Sequence, residues 1–558
     1  MEPETVHASA SGVLSVGDPL DPGTSTHTPE HATAPLGEEG ARSLLKRTPN
    51  SYVLNQAYGL WVYVSLFLLT ILLTRNLSRN DYGMYAVAAT AFNTIAYIVA
   101  FGLEDATTTF VPRLLAEHGQ ATAAALIRRL LAIRVGTLLA CLGVLLLSLP
   151  TLATFLAAIP TPMTVNMATG LRSPGVQMHV APIAFWVLAN GLFSLLNAVY
   201  AAVMRMKVVV IVGGLSQIFL LGLGFVTLQL GWGIDGILWL QGIVMFAGAL
   251  LFAIWQAPLI FSRGASYHQP MAPVFRLGIS AWFTNLVSGA LLKQISVILL
   301  LYFSATLAQQ ADFNTSFQLT DGANLLLVSG FGGVGVSALA AAFVGKNYHR
   351  LSRIWQTLIK IETLLSVPGL IFCLFNAKNI VIALYGQKYA SAGELFAIFL
   401  SLNLVVRMLG MTIHQSTLFV MSKSRYVVIA QWAGLIVVIV LGLYLTPRWG
   451  PAGTLVADGV ARLVICGLML LFLWKDLPLK YPLGFSLRVL LAVTIAAMPV
   501  LFFHPSTKLT LALFALVFIV LSVCMLMLIR PLSQGDVEMV REVKPGVARY
   551  LKWFARQS

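Results

Sequence analysis

Fourteen apolar segments follow one another between residues 53 and 529, and most of them are long enough to cross a bilayer. About 20 apolar residues in a helix span a hydrocarbon core of about 30 Å. Charged residues make up 10% of the chain and hydrophobic residues 58%, whereas a soluble domain is roughly 25% charged. A transmembrane barrel would show alternating strands of about ten residues. The sequence therefore predicts an all-α polytopic membrane protein with about fourteen transmembrane helices.

The loops between these segments indicate the orientation of the chain. Alternate loops differ in their content of lysine and arginine, and the richer set is expected on the cytoplasmic side. Both termini are then cytoplasmic, and the protein is predicted to lie in the cytoplasmic (plasma) membrane. The predicted spans lie near residues 53–74, 83–103, 130–149, 180–202, 208–230, 234–256, 277–303, 311–343, 356–375, 394–420, 427–446, 451–474, 485–503 and 508–529.

The chain contains an internal repeat. Leu77 aligns with Leu307 and, farther on, Trp232-Gly233 aligns with Trp449-Gly450. Each copy holds six spans, an even number, so both enter the membrane from the same side, as in transporters in which one bundle rocks against the other. The predicted units are a disordered cytoplasmic tail (1–44), an N-lobe with spans 1–6 (45–260), a C-lobe with spans 7–12 (261–475), accessory spans 13 and 14 (476–530), and a basic cytoplasmic tail (531–558) that forms an interfacial helix or stays solvated.

One predicted span, residues 277–303, carries a full positive charge, Lys293, near its middle. A cation at that depth costs on the order of 3 kcal/mol on insertion scales, so it normally faces a protein interior or a watery cavity. Because about ten residues of span lie on either side, snorkelling to an interface is awkward. Lys293 is therefore either a packing residue paired with a carboxylate or a cavity lysine that meets an anionic substrate.

Two arginines also lie within predicted spans. Arg407 stands mid-span without an acidic residue near it in sequence, and an arginine can hold a phosphate through two parallel hydrogen bonds. A tertiary ion pair is the other reading of Arg407. Asp458 and Arg462 are four residues apart on one helix, so a local salt bridge is the first explanation for them.

The remaining charges in the spans divide into two groups. Asp321 lies in the outer part of its span and is expected to pair with Lys293, to bind a coupling cation or to carry a proton. Arg134, Lys360 and Glu362 lie near span ends in the predicted scheme, where long side chains can reach the interface. These three are therefore not expected to form part of a site.

The segment RNLSRNDYGMYAVAATAFNTIAYIVAFGLEDATTTFVPRL and the later turns WGIDG and WGPAG resemble the polysaccharide-transporter (Wzx-type) flippases of the multidrug/oligosaccharidyl-lipid/polysaccharide exporter superfamily. The resemblance covers about residues 45–475. It implies two six-helix lobes in a V around a central cavity. It also implies that a lipid-linked saccharide crosses the cytoplasmic membrane by alternating access. The fourteen-span count is similar to the lipid II flippases, while the second span looks closer to the polysaccharide group.

Under this resemblance the substrate is an oligosaccharide on polyprenyl phosphate or pyrophosphate, destined for a surface polysaccharide such as O-antigen or teichoic acid. Lys293, Arg407 and Arg462 are the expected substrate-binding residues, because a buried phosphate needs neutralisation. Asp321 and Asp458 are the expected coupling residues for Na⁺ or H⁺. The expected partners are the polyprenyl-linked saccharide, membrane lipids and glycan-assembly proteins, with no cofactor, metal or nucleic acid.

Other functions stay open at this point. A cation-coupled drug or small-molecule antiporter of the same superfamily would favour a carboxylate-dominated cavity, whereas basic residues outnumber acidic ones mid-span. A membrane-embedded polysaccharide-assembly enzyme would need clustered catalytic groups, and no HExxH, GxSxG, Walker or CxxC spacing occurs. A non-transporting scaffold with the same fold is a further reading. The net charge of +15 does not indicate nucleic-acid binding, because the basic residues lie in short loops between spans.

Overall fold

The computed structural model is helical in the residues it describes, with one isolated bridge between Leu532 and Ala555. It describes residues 36–158, 174–203, 205–262, 270–286, 292–303, 306–328, 346–501, 508–543 and 551–555, with single residues at 339, 342, 343 and 549. The α-helices are α1 (Leu36–Asn76), α2 (Arg79–Ala100), α3 (Leu103–Ala158), α4 (Pro174–Ala202), α5 (Met206–Gln229), α6 (Gly233–Ile260), α7 (Met271–Asn285), α8 (Leu292–Tyr302), α9 (Leu307–Val328), α10 (Tyr348–Phe375), α11 (Ala377–Tyr385), α12 (Ala392–Leu409), α13 (Met411–Val420), α14 (Ser424–Trp449), α15 (Pro451–Trp474), α16 (Leu483–Ala497), α17 (Lys508–Ile529) and α18 (Gln534–Val543).

Ten of the described helices are long and apolar enough to cross a membrane by length and composition. The other four predicted spans also coincide with helices. The span at 130–149 is the second part of α3, and 277–303 is divided between α7 and α8. The span at 311–343 corresponds to the more polar α9, with most of its remainder outside the described residues, and 485–503 corresponds to the short α16. The predicted class, an all-α polytopic membrane protein, is confirmed.

The predicted span at 277–303 is described in two parts, α7 up to Asn285 and α8 from Leu292, and residues 287–291 lie outside the described residues. Another predicted span is interrupted. The segment 394–420 is broken at Gly410, whose φ of 80° lies in the left-handed region that favours glycine. The break ends α12 close to Arg407 and starts α13 at a new angle, which positions side chains of the site.

The terminal and loop boundaries also differ from the prediction. Helix α1 begins at Leu36, inside the predicted tail 1–44, and residues 1–35 lie outside the described residues. The external loop predicted at 150–179 is shorter, because α3 runs to Ala158 and α4 begins at Pro174. In the predicted C-terminal tail, α18 is followed by a 3₁₀ turn at Lys552–Phe554.

The two lobes repeat one packing pattern. In the N-lobe, α1 packs on α5, and α4 packs on α2, α3 and α6; in the C-lobe, α8 packs on α14, and α12 packs on α9, α10 and α15. The aligned residues Gly233 and Gly450 both have positive φ, 57° and 55°, in the turn before the last helix of each lobe. The same neighbours in the same order are what a parallel repeat of two six-helix lobes predicts.

Helix α2 joins the lobes at both of its ends. Near its start, a Cβ on Gly83 would lie 1.9 Å from the carbonyl oxygen of Leu307, and just beyond its end a Cβ on Gly102 would lie equally close to the carbonyl oxygen of Gly278. Glycine alone allows backbones to approach this closely. Between these two contacts α9 runs beside α2, so the face of α9 turned to the N-lobe lies at the centre of the molecule.

Candidate functional site

The face of α9 that meets the N-lobe carries part of the candidate site. The Asn314 amide donates to the hydroxyl of Tyr82 on α2 at 2.9 Å, and Gln318 is hydrogen-bonded to Thr70 on α1. Residues seven positions apart lie on one face of a helix, so Asp321 is turned the same way as Asn314. The side chain of Asp321 is 38% exposed.

Arg462 on α15 contacts two carboxylates. Its Nε donates to Oδ2 of Asp458 at 2.8 Å, and its Nη1 lies 3.8 Å from Oδ1 of Asp321. The rings of Phe317 and Phe399 lie 5.3 and 5.0 Å from the guanidinium, within the range of cation–π contact. The local salt bridge predicted for Asp458 and Arg462 is present, and Asp321 joins it from another helix.

Arg407, in the last turn of α12, forms a tertiary ion pair. Its Nη1 donates to Oε1 of Glu362 on α10 at 3.0 Å and to the hydroxyl of Thr412 on α13 at 2.9 Å. Its Nε donates to Oδ1 of Asn324 on α9 at 3.3 Å. The break at Gly410 brings Thr412 into reach. One guanidinium thus connects four helices of the C-lobe.

Glu362 is a candidate site residue that the sequence reasoning missed, and its placement near a span end was wrong. The predicted span began at residue 356, but α10 begins at Tyr348, so Glu362 lies midway along the helix and is fully buried. Lys360 lies midway along α10 as well, but its described ion pair is with Asp536. The described ion pairs of Arg407 and Arg462 involve three carboxylates, so the predicted excess of positive charge is not present around these two arginines.

The two arginine clusters belong to one network, because their residues share helices. Asp321 and Asn324 are a turn apart on α9, and Asn403, which accepts from Arg462 Nη1 at 3.4 Å, is a turn before Arg407 on α12. The side chains of Arg407 and Arg462 are 21% and 23% exposed, whereas the carboxylates of α10 and α15 behind them are buried. The two cations are therefore partly exposed, and two of the three carboxylates that pair with them are buried.

Lys293 is not brought into this network by any described contact. Its backbone lies at the start of α8, and its side chain is outside the described residues. The contacts that it was predicted to make, with a substrate or with Asp321, therefore stay predictions. Helix α8 packs on α14 and α15 of the C-lobe and reaches α2 of the N-lobe.

Two other charges that were predicted to lie near span ends have tertiary partners. Arg134, expected to reach the interface, is 2% exposed; it is paired with Glu104 and donates to the carbonyl oxygen of Val99 at 3.0 Å, so that expectation was wrong. Lys360 donates to both carboxylate oxygens of Asp536 on α18 at 2.8 Å. That contact ties the C-terminal segment to the helix that carries Glu362.

Polar contacts close the lobes at the start of α2, and we call this set the Arg79 latch. Arg79 is paired with Asp312 of α9. Arg75 donates to the carbonyl groups of Ala383 and Leu384, in the last turn of α11, at 2.6 and 2.8 Å. Lys388 donates in return to the carbonyl group just after α1 at 2.5 Å. Burial, and then the positive charge of Arg75, lowers the pKa of Lys388 below its ordinary value.

A second set of contacts, the Trp282 latch, joins the lobes at the far end of α2. The indole Nε1 of Trp282 donates to the carbonyl oxygen of Tyr97 at 2.8 Å, and its ring lies 5.4 Å from that of Phe101. Asn285 donates to Oδ2 of Asp105 at 2.9 Å. The two latches therefore join the lobes at opposite ends of α2.

The chemistry of the network suits an anion or a small cation rather than a transition metal. Among the described residues, no group of three or more His, Cys, Asp and Glu side chains is placed to hold a metal ion. The exposed donors are guanidinium groups, which recognise phosphate and carboxylate groups. Asp321 is the carboxylate of the network that is accessible from the inter-lobe space.

Comparison with known proteins gives the fold. No protein-family model and no curated protein sequence match this chain. Among solved structures, the lipid II flippase MurJ in an inward closed conformation is similar, with 12% identity, a TM-score of 0.62 and coverage of 84% of this chain and 97% of that one. An inward-facing multidrug resistance MATE family transporter of the MOP superfamily has 15% identity, a TM-score of 0.52 and coverage of 74% and 93%. The eukaryotic MATE transporter AtDTX14 has 14% identity, a TM-score of 0.50 and coverage of 77% and 96%. This chain therefore has the fold of MOP-superfamily transporters.

Proposed function

We propose that this protein is a flippase that moves an oligosaccharide linked to polyprenyl phosphate or pyrophosphate across the cytoplasmic membrane by alternating access. The fold supports a flippase or transporter, since one similar structure is a lipid II flippase and the others are MATE transporters. The observation that carries the substrate class is the pair of partly exposed guanidinium groups of Arg407 and Arg462. In this proposal their exposed sides face a cavity between the lobes.

The substrate class follows from what the lipid bilayer excludes. A phosphate with sugars attached cannot enter hydrocarbon without a large cost in lost hydration, whereas its prenyl tail dissolves there. A protein therefore has to supply cations at mid-membrane depth and leave the tail in the lipid. Arg407 and Arg462 supply two such cations, and we propose that Lys293 supplies a third.

Coupling to an ion gradient is assigned to Asp321 in this proposal. Asp321 is 38% exposed and contacts Arg462. A change in the charge of Asp321 would therefore change how strongly the guanidinium of Arg462 binds a phosphate. Asp458 is buried against the same arginine and is the second candidate. The proposal includes both termini in the cytoplasm and glycan-assembly proteins and membrane lipids as partners.

A cation-coupled antiporter for drugs or other small molecules is the second candidate function. The observation that favours it is Glu362, which brings the described C-lobe network to three carboxylates against two guanidinium groups. Such a protein would move small cations between the lobes and would not move a lipid-linked phosphate. The fold alone does not separate the two functions, because both kinds of protein share it.

The test measures flipping of a fluorescent polyprenyl-phosphate-linked saccharide in proteoliposomes. Arg407→Ala and Arg462→Ala are each expected to lower the initial flipping rate at least about tenfold, since each removes a charge-assisted contact to phosphate. Arg448→Ala is the matched control, because Arg448 lies at the end of α14 and donates to the carbonyl oxygen of Tyr444. No flipping by the wild type, with gradient-driven movement of small cations, would support the antiporter instead.

A further inference from the structure

The buried carboxylate of Glu362 has one strong partner and one unused oxygen. Its Oε1 accepts from Arg407 at 3.0 Å, while Oε2 is buried without a hydrogen-bond partner among the described residues. Buried carboxylate oxygens are normally satisfied, so a lone one indicates a group that changes partner or protonation state. The side chain is fully buried, and Arg407 separates it from the inter-lobe space.

Arg407 has donors to spare on its exposed side. A guanidinium carries five N–H groups, and the described contacts of Arg407 use Nη1 and Nε, with none to Nη2. A phosphate that approaches from the inter-lobe space meets this free edge first. To hold the phosphate through two parallel hydrogen bonds, the guanidinium turns some of its N–H groups away from Glu362.

The groups around Glu362 leave Arg407 as its described counter-ion. The titratable side chains with a described interaction with Glu362 are Arg407 (α12), Cys466 (α15) and Tyr481 (before α16). Of the other charged or titratable groups nearby, His414 (α13) is bonded to Trp355, Asp321 (α9) and Asp458 (α15) are paired with Arg462, and Lys360 on α10 itself is held by Asp536 of α18. Helices α11 and α17 meet α10 through apolar side chains. When Arg407 turns to a ligand, no second cation described here replaces it.

We propose that Glu362 is a proton-binding site that fills when an anionic head group takes Arg407 away from it. An isolated buried carboxylate is strongly disfavoured relative to the neutral acid, so the loss of its cation drives proton uptake. The balance is one proton from water onto Oε2 of Glu362 for each phosphate bound by Arg407. Release of the head group returns the guanidinium to Glu362 and the proton to water. This inference rests on the proposed function, and it gives the site a proton stoichiometry.

The test is isothermal titration calorimetry, in which a short-chain polyprenyl-phosphate-linked monosaccharide is titrated into the detergent-solubilised full-length protein. Its phosphodiester stays singly charged near neutral pH, so the ligand itself takes up no proton. Titrations at one pH in two buffers of different ionisation enthalpy give the number of protons taken up. The wild type is expected to take up about one proton, with an affinity that falls up to about tenfold per pH unit as the pH rises.

Two variants distinguish this exchange from a purely structural role for Glu362. Glu362→Gln keeps the shape of the side chain and removes its charge, so it is expected to bind with no proton uptake, with a pH-independent affinity, and more tightly than the wild type at alkaline pH. Asp536→Asn is the matched control, since Asp536 is paired with Lys360 on the same helix; its proton uptake is expected to equal that of the wild type.

The results that would contradict this inference differ from those that would contradict the proposed function. Binding by the wild type without proton uptake, or unchanged uptake in Glu362→Gln, would overturn the inference and leave the proposed function standing. Failure of the wild type to bind the lipid phosphate would contradict the proposed function and this inference with it. If Glu362→Gln does not fold, the two-buffer measurement on the wild type still decides between uptake of a proton and none.

Discussion

The N-lobe and the C-lobe each contain an arginine–glutamate pair, but the two pairs differ in which partner is buried. In the N-lobe, Arg134 is 2% exposed, and its partner Glu104, which is 27% exposed, also accepts from Ser194 at 2.7 Å. In the C-lobe, Glu362 is fully buried and Arg407 is 21% exposed. The N-lobe cation is enclosed, whereas the C-lobe cation is accessible to a ligand.

This difference indicates that the same kind of ion pair has a structural role in the N-lobe and a role in transport in the C-lobe. Arg134 donates to the carbonyl groups that end α2, so it fixes the turn where α2 meets α3. Arg407 connects four helices of the C-lobe and still has a free edge. We therefore expect the N-lobe pair to affect folding most, and the C-lobe pair to affect transport most.

The largest effect on stability is expected for Glu104→Ala. Removal of one partner leaves Arg134 buried and uncompensated, which costs about 3–5 kcal/mol in the free energy of unfolding. The unfolding midpoint in detergent and the yield of monodisperse protein measure this loss. Glu117→Ala is the control, because the exposed pair of Glu117 with Arg113 is worth about 0.3–0.5 kcal/mol. Equal midpoints for the two variants would contradict the enclosed role of Arg134.

The next effect separates stability from transport in the C-lobe. Arg407→Ala leaves Glu362 without its cation and is expected to cost about 2–3 kcal/mol, less than the N-lobe variant because Glu362 can bind a proton. The double variant Arg407→Ala/Glu362→Gln is expected to regain most of that stability and none of the flipping activity. Recovery of flipping in the double variant would show that Arg407 serves packing alone.

A smaller effect is expected from Asp321→Asn, which removes the accessible carboxylate of the network. If Asp321 couples transport to an ion, flipping in proteoliposomes becomes independent of an imposed Na⁺ or H⁺ gradient, while binding of the lipid phosphate persists. Rates measured with and without each gradient check this. Gradient dependence equal to that of the wild type would remove Asp321 from the coupling role.

The smallest effect concerns the Arg79 latch and its dependence on pH. Closing the latch lowers the pKa of Lys388, so closing releases protons and is favoured as the pH rises toward the ordinary lysine pKa of about 10.4. Spin labels at the exposed positions Asn80 and Lys378 report the separation of the lobes there. The fraction of short distances is expected to rise with pH in the alkaline range, and Lys388→Met is expected to remove that rise. A rise that persists in Lys388→Met would contradict this assignment.

Much of the fold follows from local patterns in the sequence. Apolar runs predict helices because each must satisfy its own backbone in lipid, and each of the fourteen predicted spans overlaps at least one described helix. The aligned glycines Gly233 and Gly450 predict equivalent turns, and both adopt positive φ. The salt bridge between Asp458 and Arg462 follows from their spacing of one helical turn.

The rest of the site depends on contacts between helices that are distant in sequence. Arg407 and Glu362 lie on different helices, and no periodicity links them. Glu362 was set aside because the predicted span began at residue 356; hydropathy does not detect a helix that extends into a charged segment such as the one after Tyr348. The break at Gly410 was missed because a single glycine is also compatible with a continuous helix in a membrane.

The most direct test of the central claim is an experimental structure of the protein bound to a lipid-linked saccharide. We predict that the phosphate lies within about 3 Å of the guanidinium of Arg407, on the inter-lobe face, with that guanidinium shifted away from Glu362. A phosphate bound elsewhere, with the ion pair between Arg407 and Glu362 unchanged, would contradict the account.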